Sequence, residues 1–153
     1  MRKRSKYRPK GVIPDTISFV LRGFMPVREH GKATTAKIRN HQALLNMTNG
    51  NGTREDVDVI IGAMNVAEAL IKTAGIGAEF MQEITDAEQA IFTMGQRGVA
   101  KDRFLFTGPE IKAINTGMDV HDAQLDVCTI GELEKALEFV SKEIRAKRAR
   151  AIS

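Results

Sequence analysis

The architecture of this chain follows from one segment, residues 53–74, which reads TREDVDVIIGAMNVAEALIKTA. Beyond its first turn, the polar residues fall mainly on one narrow line of a helix, at Asp58, Asn65 and Lys72. A helix that is apolar around most of its circumference belongs at the centre of a domain, because each apolar face needs a covering neighbour. We therefore predict a central, buried helix. Its apolar residues form two stripes, which are Val57, Ile60, Ile61, Met64 and Ile71 on one side and Val59, Ala63, Val66 and Leu70 on the other.

The chain on both sides of this segment is also predicted to be helical, because apolar residues recur at helical spacing and turn residues separate the runs. One short run, RFLFT at residues 103–107, is typical of a strand. We predict an all-α fold, a single compact bundle of five to six helices with at most one short strand or hairpin. Besides the central helix, the predicted helices are residues 14–24, 35–47, 78–96, 109–128 and 130–146, with Gly95 and Gly98 ending the third of these.

Local signals predict where three helices begin and which residues face inward. Thr53 with Asp56 resembles a capping box, Thr129 with Glu132 matches one, and Pro109 suits a first helical turn. The inward stripes follow from the apolar spacing. They are Ile38, His41, Leu44 and Leu45; Phe80, Met81, Ile84, Ala87, Ile91 and Met94; Ile111, Ile114, Met118, His121, Leu125 and Cys128; and Leu133, Leu137, Val140 and Ile144.

The composition predicts a globular domain without a membrane span. Hydrophobic residues make up 42% of the 153 residues, and the 5% share of aromatic residues favours helix packing over a β-sandwich. Cys128 is the only cysteine, so an intrachain disulfide is excluded and a reducing compartment fits. No apolar run approaches the roughly 20 residues of a membrane-spanning helix, and no apolar segment follows the charged start. We expect a flexible basic arm at residues 1–13, a helical domain at residues 14–153, and a cytoplasmic location.

Basic residues are concentrated at the two ends of the sequence. Residues 1–10 carry a net charge of +6 and residues 141–153 carry +4, whereas residues 11–140 carry −6. Runs of like charge attract a polyanion or an acidic surface, although cations at a helix C-terminus also complement its dipole. Without a recognisable helix-turn-helix, zinc finger or aromatic pair, the expected contact is with phosphates. The candidate nucleic-acid-binding residues are Arg2, Lys3, Arg4, Lys6, Arg8, Lys10, Arg145, Lys147, Arg148 and Arg150.

Few residues offer catalytic or metal chemistry. His121, in an apolar stripe, is a candidate general base if Glu68 and Asn65 of the central helix approach it. A core histidine with satisfied ring nitrogens is the favoured alternative, and no serine or cysteine motif accompanies His121. Cys128 is seven residues away, about 10 Å along a helix, which is too far for the two to share an ion. We expect no metal and no cofactor, and we interpret Asp119, Asp122 and Asp126 as a solvated helix face.

Three stretches of the sequence resemble small, uncharacterised proteins that bacteriophages and prophages encode. They are KYRPKG at residues 6–11, KIRNHQALLNMTNGNGTREDVDVIIGAMNVAEAL at residues 37–70 and MDVHDAQLDVCTIGELEKAL at residues 118–137. The resemblance implies no activity and no residue roles. It implies a biological setting, the bacterial host cell, in which proteins of this size are often regulators, inhibitors or assembly accessories.

Together these observations predict a non-enzymatic accessory or regulatory binding protein that associates with nucleic acid, or with a nucleic-acid complex, through its basic ends. One alternative is an inhibitor of a host protein or defence system that acts through the helical body. Another is an enzyme centred on His121. Homo-oligomers are a separate hypothesis, which rests on RFLFT and on the wide apolar circumference of residues 57–71.

Overall fold

The computed structural model describes residues 31–146, and within them the chain is helical apart from short connections. The predicted all-α fold is confirmed, and no strand forms in this part of the chain. The arm at residues 1–13, the predicted helix at 14–24 and residues 147–153 lie outside the described residues. The helices are α1 (Lys32–Thr48), α2 (Arg54–Ala74), α3 (Met81–Lys101), α4 (Gly108–Val127) and α5 (Ile130–Arg145), with a 3₁₀ turn at Ala78–Phe80 before α3.

Helix α2 lies at the centre of the bundle and packs against each of the other four helices. Its residues Ile60, Met64 and Leu70 are completely buried. One apolar cluster lies between α2 and the helices α1, α3 and α4, and a second lies between α2, the start of α1, the end of α4 and helix α5. The predicted central position of residues 53–74 is therefore confirmed. Neighbours within the same chain cover much of the apolar circumference that suggested a partner chain.

Three of the five helices begin with a capping box, in which a threonine hydroxyl accepts a backbone N–H and the acidic residue three positions later accepts the threonine N–H. This exchange satisfies two donors that a helix start otherwise leaves free. Both predicted capping boxes are confirmed, and the third encloses Pro109 in the first turn of α4. The three pairs are Thr53 with Asp56, Thr107 with Glu110, and Thr129 with Glu132.

Helix α1 turns a different face to the core from the predicted one. Ile38 is 65% exposed and Leu45 is 51% exposed, and the side chain of His41 is also exposed. The buried residues of α1 are Ala33, Asn40, Ala43, Leu44 and Met47. The prediction was wrong for three of its four residues because it counted large apolar side chains. Ala43 packs instead beside Leu44 and Met47 in the apolar cluster that α1 shares with α2.

Two further inward stripes need correction at particular positions. In α5, Leu137 and Ile144 are exposed, whereas Ala136 is buried and Leu133 and Val140 pack against the core. Phe80, before α3, is exposed as well. The apolar arc of α5 is wider than the face that α2 covers, so residues at the edge of the arc remain in contact with solvent.

Helix α3 does not end at its glycines. It continues through Gly95 and Gly98 to Lys101, and both glycines are buried. A Cβ atom on Gly98 would lie 2.3 Å from Cδ1 of Phe104, which is far inside van der Waals contact. Gly98 therefore marks a close approach of the 103–107 connection to α3. The predicted helix end was wrong because a buried glycine can serve packing as well as a turn.

An ion pair holds the 103–107 connection between α3 and α4. The Arg97 guanidinium donates to both carboxylate oxygens of Glu110, at 2.8 and 2.9 Å, and to the backbone oxygen of Leu105 at 2.9 Å. Burial alone would raise the pKa of Glu110, but its hydrogen bonds with Arg97 and Thr107 hold that pKa below its usual value. The RFLFT segment is therefore fixed by one arginine and by the packing of Phe104 and Phe106 on the core.

Candidate functional site

Of the ten predicted nucleic-acid-binding residues, only Arg145 lies in the described part of the chain. It belongs to the last turn of α5, where its Nε donates to the backbone oxygen of Ser141 at 3.3 Å. Lys142 in the same turn pairs with Glu138 at 2.9 Å. Cations in the last turn of a helix complement its dipole, so these two positions also have a structural role. The remaining nine residues, which lie outside the described range, are Arg2, Lys3, Arg4, Lys6, Arg8, Lys10, Lys147, Arg148 and Arg150.

The described body is acidic. Residues 31–146 contain 12 lysines and arginines against 17 aspartates and glutamates, which is a net charge of −5. Several cations of the body are already paired with carboxylates, among them Lys72 with Glu68 and Arg97 with Glu110. A surface of this kind repels phosphate groups, so it offers no general platform for a polyanion.

Two side-chain pairs connect α1 to α4 and form what we call the α1–α4 seam. Its residues are Lys37, His41, Asp122 and Asp126. Lys37 Nζ lies 2.5 Å from Asp126 Oδ1, and His41 Nε2 lies 2.6 Å from Asp122 Oδ2. The pairing order is reversed between the helices, so α1 and α4 are antiparallel. These side chains are partly exposed, so each pair stabilises the fold only modestly, by about 1 kcal/mol at most. The seam links α1 directly to α4.

His121 lies behind the seam and is only 3% exposed. Its Nδ1 lies 3.4 Å from Oε1 of Gln124, and Gln124 Nε2 donates to the backbone oxygens of Ala67 at 3.0 Å and Ile76 at 2.9 Å. Gln124 thus connects α4 to α2 and to the connection that follows α2. The sequence did not single out Gln124, although its position three residues after His121 on the same helix face was the available signal.

The structure does not assemble the grouping of His121 with Glu68 and Asn65. Within residues 31–146, neither of those residues is hydrogen-bonded to His121, and Glu68 pairs with Lys72 instead. Burial lowers the pKa of His121, the Gln124 hydrogen bond and the Asp122 charge raise it, and the Lys37 charge lowers it, with a net lowering. A neutral, buried imidazole with a polar partner favours a structural role.

The depressed pKa of His121 predicts that the free energy of unfolding falls as the pH drops below about 6.5, the ordinary value for histidine. Below that pH the unfolded chain binds a proton that the folded chain does not bind, so protonation favours unfolding. Urea denaturation at several pH values measures this effect, and its reference is the His121→Asn variant, in which the pH dependence should be smaller. Normal titration of the His121 ring near pH 6.5 in the NMR spectrum of the folded protein would contradict the prediction.

Cysteine and metal chemistry receive no support from the geometry. Cys128 is buried, and burial raises the pKa of its thiol to about 11, so that the thiol stays protonated. In the described part of the chain, no group of three or more His, Cys, Asp or Glu side chains could hold a metal ion. No helix in residues 31–146 is both long enough and apolar enough to cross a membrane.

Comparison with known proteins does not change this description. No protein-family model, no curated protein and no solved structure matches the chain. We therefore infer function from the charge distribution, the burial of the polar groups and the arrangement of the helices.

Proposed function

We propose that this protein is a non-enzymatic accessory or regulatory binding protein of the phage type, which associates with nucleic acid, or with a nucleic-acid complex, through its basic ends. The observation that carries the proposal is the separation of charge. Residues 31–146 have a net charge of −5, whereas residues 1–10 contain six cations and no acid. Such a distribution confines favourable phosphate contacts to the ends of the chain.

The contact is electrostatic and independent of base sequence. Lysines and arginines that neutralise phosphates release condensed counterions, so the affinity falls steeply as salt is added. Tyr7 is the only aromatic residue in the N-terminal basic run, so base stacking contributes little. The burial of His121 supports the non-enzymatic part of the proposal, because a general base must reach its substrate.

A gel-shift titration with mixed-sequence DNA tests the proposal. Changing Arg2, Lys3 and Arg4 to glutamine should weaken binding at low salt at least tenfold, because about three phosphate contacts are lost. The same variant should show a shallower slope of log affinity against log salt between roughly 50 and 200 mM. Deletion of residues 1–10 should have a larger effect in the same direction.

The matched control removes three charges from the body instead. Lys101, Lys112 and Lys135 are exposed, and their change to glutamine alters the net charge by the same amount as the N-terminal variant. The proposal requires this control to bind almost as tightly as the wild-type protein. It is refuted if the wild-type protein does not bind at low salt, or if deletion of residues 1–10 leaves binding unchanged.

An exposed apolar pair on α1 favours a second candidate, an inhibitor of a host protein that acts through the helical body. Ile38 and Leu45 lie two turns apart on the outer face of α1. An affinity pull-down with nuclease present separates the two candidates. A host protein that is retained without both basic ends, but lost when Ile38 and Leu45 are changed to glutamate, would favour the inhibitor over nucleic-acid association.

A further inference from the structure

Helix α1 exposes a pair of large apolar side chains on the side that carries the α1–α4 seam. Ile38 and Leu45 lie seven residues apart, which is two helical turns or about 10 Å along α1. His41 lies between them along the helix, about 60° around it from Ile38 on the side of α4, where its Nε2 contacts Asp122. The two apolar side chains therefore form one stripe that borders α4.

The neighbouring edge of α4 is acidic. Asp126, Asp122 and Asp119 follow one another at helical spacing, so their carboxylates lie along one line. Because α1 and α4 are antiparallel, Asp119 lies one turn beyond the seam, beside Leu45. Lys37 is the cation that the seam sets against these three carboxylates, which gives a net charge of −3 + 1 = −2 when histidine is counted as neutral.

Helix α5 exposes an apolar pair with the same spacing but with a balanced border. Leu137 and Ile144 are also seven residues apart and exposed. The line of charged residues beside them contains two acids and two bases, which are Glu134, Glu138, Lys142 and Arg145. The two apolar pairs therefore resemble each other in size and spacing and differ in the charge of their borders.

We propose that the surface formed by Ile38, Leu45, Asp119, Asp122 and Asp126, which we call the α1–α4 face, binds a cationic amphipathic helix of a partner protein. A helix that docks through apolar residues at positions i and i+7 matches a stripe of two turns. Lysines or arginines on one flank of that helix would meet the carboxylates of α4, whereas an acidic flank would be repelled. The inference specifies the partner of the second candidate function, on which it rests, and it does not depend on nucleic-acid association.

Fluorescence anisotropy with two labelled peptides tests the inference on the full-length protein. Both peptides have about 18 residues, with leucine along one helical stripe and alanine elsewhere. One peptide carries lysine beside the stripe, and the other carries glutamate at the same positions. At low salt the wild-type protein is expected to bind the lysine peptide about tenfold more tightly than the glutamate peptide, because the acidic edge of α4 attracts one flank and repels the other.

Two double variants test the apolar stripe without a change of charge. The combination of Ile38→Gln and Leu45→Gln should weaken binding of the lysine peptide about tenfold, because two apolar side chains no longer leave water on binding. The combination of Leu137→Gln and Ile144→Gln is the matched control and should bind as the wild-type protein does. All four side chains are exposed, and circular dichroism checks that both variants are folded.

Reversal of one charge tests the acidic border. Asp119→Lys should weaken binding of the lysine peptide and strengthen binding of the glutamate peptide, which a purely structural role of Asp119 would not produce. Glu134→Lys on α5 changes the net charge of the protein by the same amount. This control should alter the affinity for either peptide by less than about threefold, because its charge lies away from the α1–α4 face.

The inference is overturned if the wild-type protein does not bind the lysine peptide, binds both peptides alike, or loses as much affinity in the α5 control as in the α1 variant. Light scattering that shows a dimer, converted to a monomer by the two α1 changes, would assign the face to a second copy of the chain and also overturn it. A host protein retained through Ile38 and Leu45 in the pull-down would keep the second candidate function standing even if the peptides fail. The gel-shift titration measures nucleic-acid association separately.

Discussion

Replacement of Gln124 by leucine is expected to lower the free energy of unfolding by about 3 kcal/mol, because buried polar groups lose their partners. The Gln124 side chain is only 2% exposed, and its amide donates to the backbone oxygens of Ala67 and Ile76. Leucine has a similar volume, so the change removes the hydrogen bonds without leaving a large cavity. The Nδ1 atom of His121 loses its partner in the core at the same time.

Urea denaturation followed by circular dichroism measures this loss, and thermal denaturation should show a fall of about 6 to 12 °C in Tm for a chain of this size. Gln96→Leu is the matched control. Gln96 is exposed on α3, so the same chemical change should alter the stability by less than about 0.5 kcal/mol. A Gln124→Leu variant as stable as the Gln96→Leu variant would show that the buried amide is not a structural connection between α4 and α2.

The features that the sequence predicted correctly are those that depend only on residues close together in the sequence. A capping box needs only two residues three positions apart, and both predicted boxes form, at Thr53 with Asp56 and at Thr129 with Glu132. The central position of α2 follows from its own apolar circumference, since no choice of face is involved. Such features do not depend on how the rest of the chain folds.

The features that the sequence missed depend on contacts between distant parts of the chain. Helix α1 has two apolar arcs, and the arc with Ala43, Leu44 and Met47 packs in the core, which leaves Ile38 exposed. Helix α3 continues through Gly98, where Phe104 lies too close for any side chain. Which arc of a helix faces inward, and whether a glycine serves as a packing contact, depends on the surface of the neighbouring element.

The candidate site also combines features that the sequence predicted with features that it missed. The charge separation is a property of composition along the chain, and residues 31–146 retain it with a net charge of −5. The α1–α4 seam joins residues 81 and 89 positions apart, His41 to Asp122 and Lys37 to Asp126, and one sequence gives no signal for such pairs. A stripe of periodic residues placed His121 in the core correctly, but it could not indicate that Gln124 would be its partner.

Helices α2, α3 and α4 meet closely at Gly117, a residue that the sequence pattern did not single out. A Cβ atom on this residue would lie 2.6 Å from Cβ of Ala87 in α3 and 2.8 Å from Sδ of Met64 in α2. The methionine sulfur is part of a flexible side chain, although Met64 is completely buried. The Cβ of Ala87 is fixed to its backbone, so α3 and α4 would have to separate.

Gly117→Ala is therefore expected to lower the free energy of unfolding by about 2 kcal/mol, because overpacking outweighs the roughly 1 kcal/mol by which alanine favours a helix. Gly62→Ala in α2 is the control, since nothing lies within 4 Å of its added Cβ, and this variant should be more stable than the wild-type protein. Adding Ala87→Gly to the Gly117→Ala variant should recover part of the loss, and a double-mutant cycle from urea denaturation measures the coupling. If Gly117→Ala stabilises the protein as Gly62→Ala does, the three helices do not meet as closely as this geometry requires.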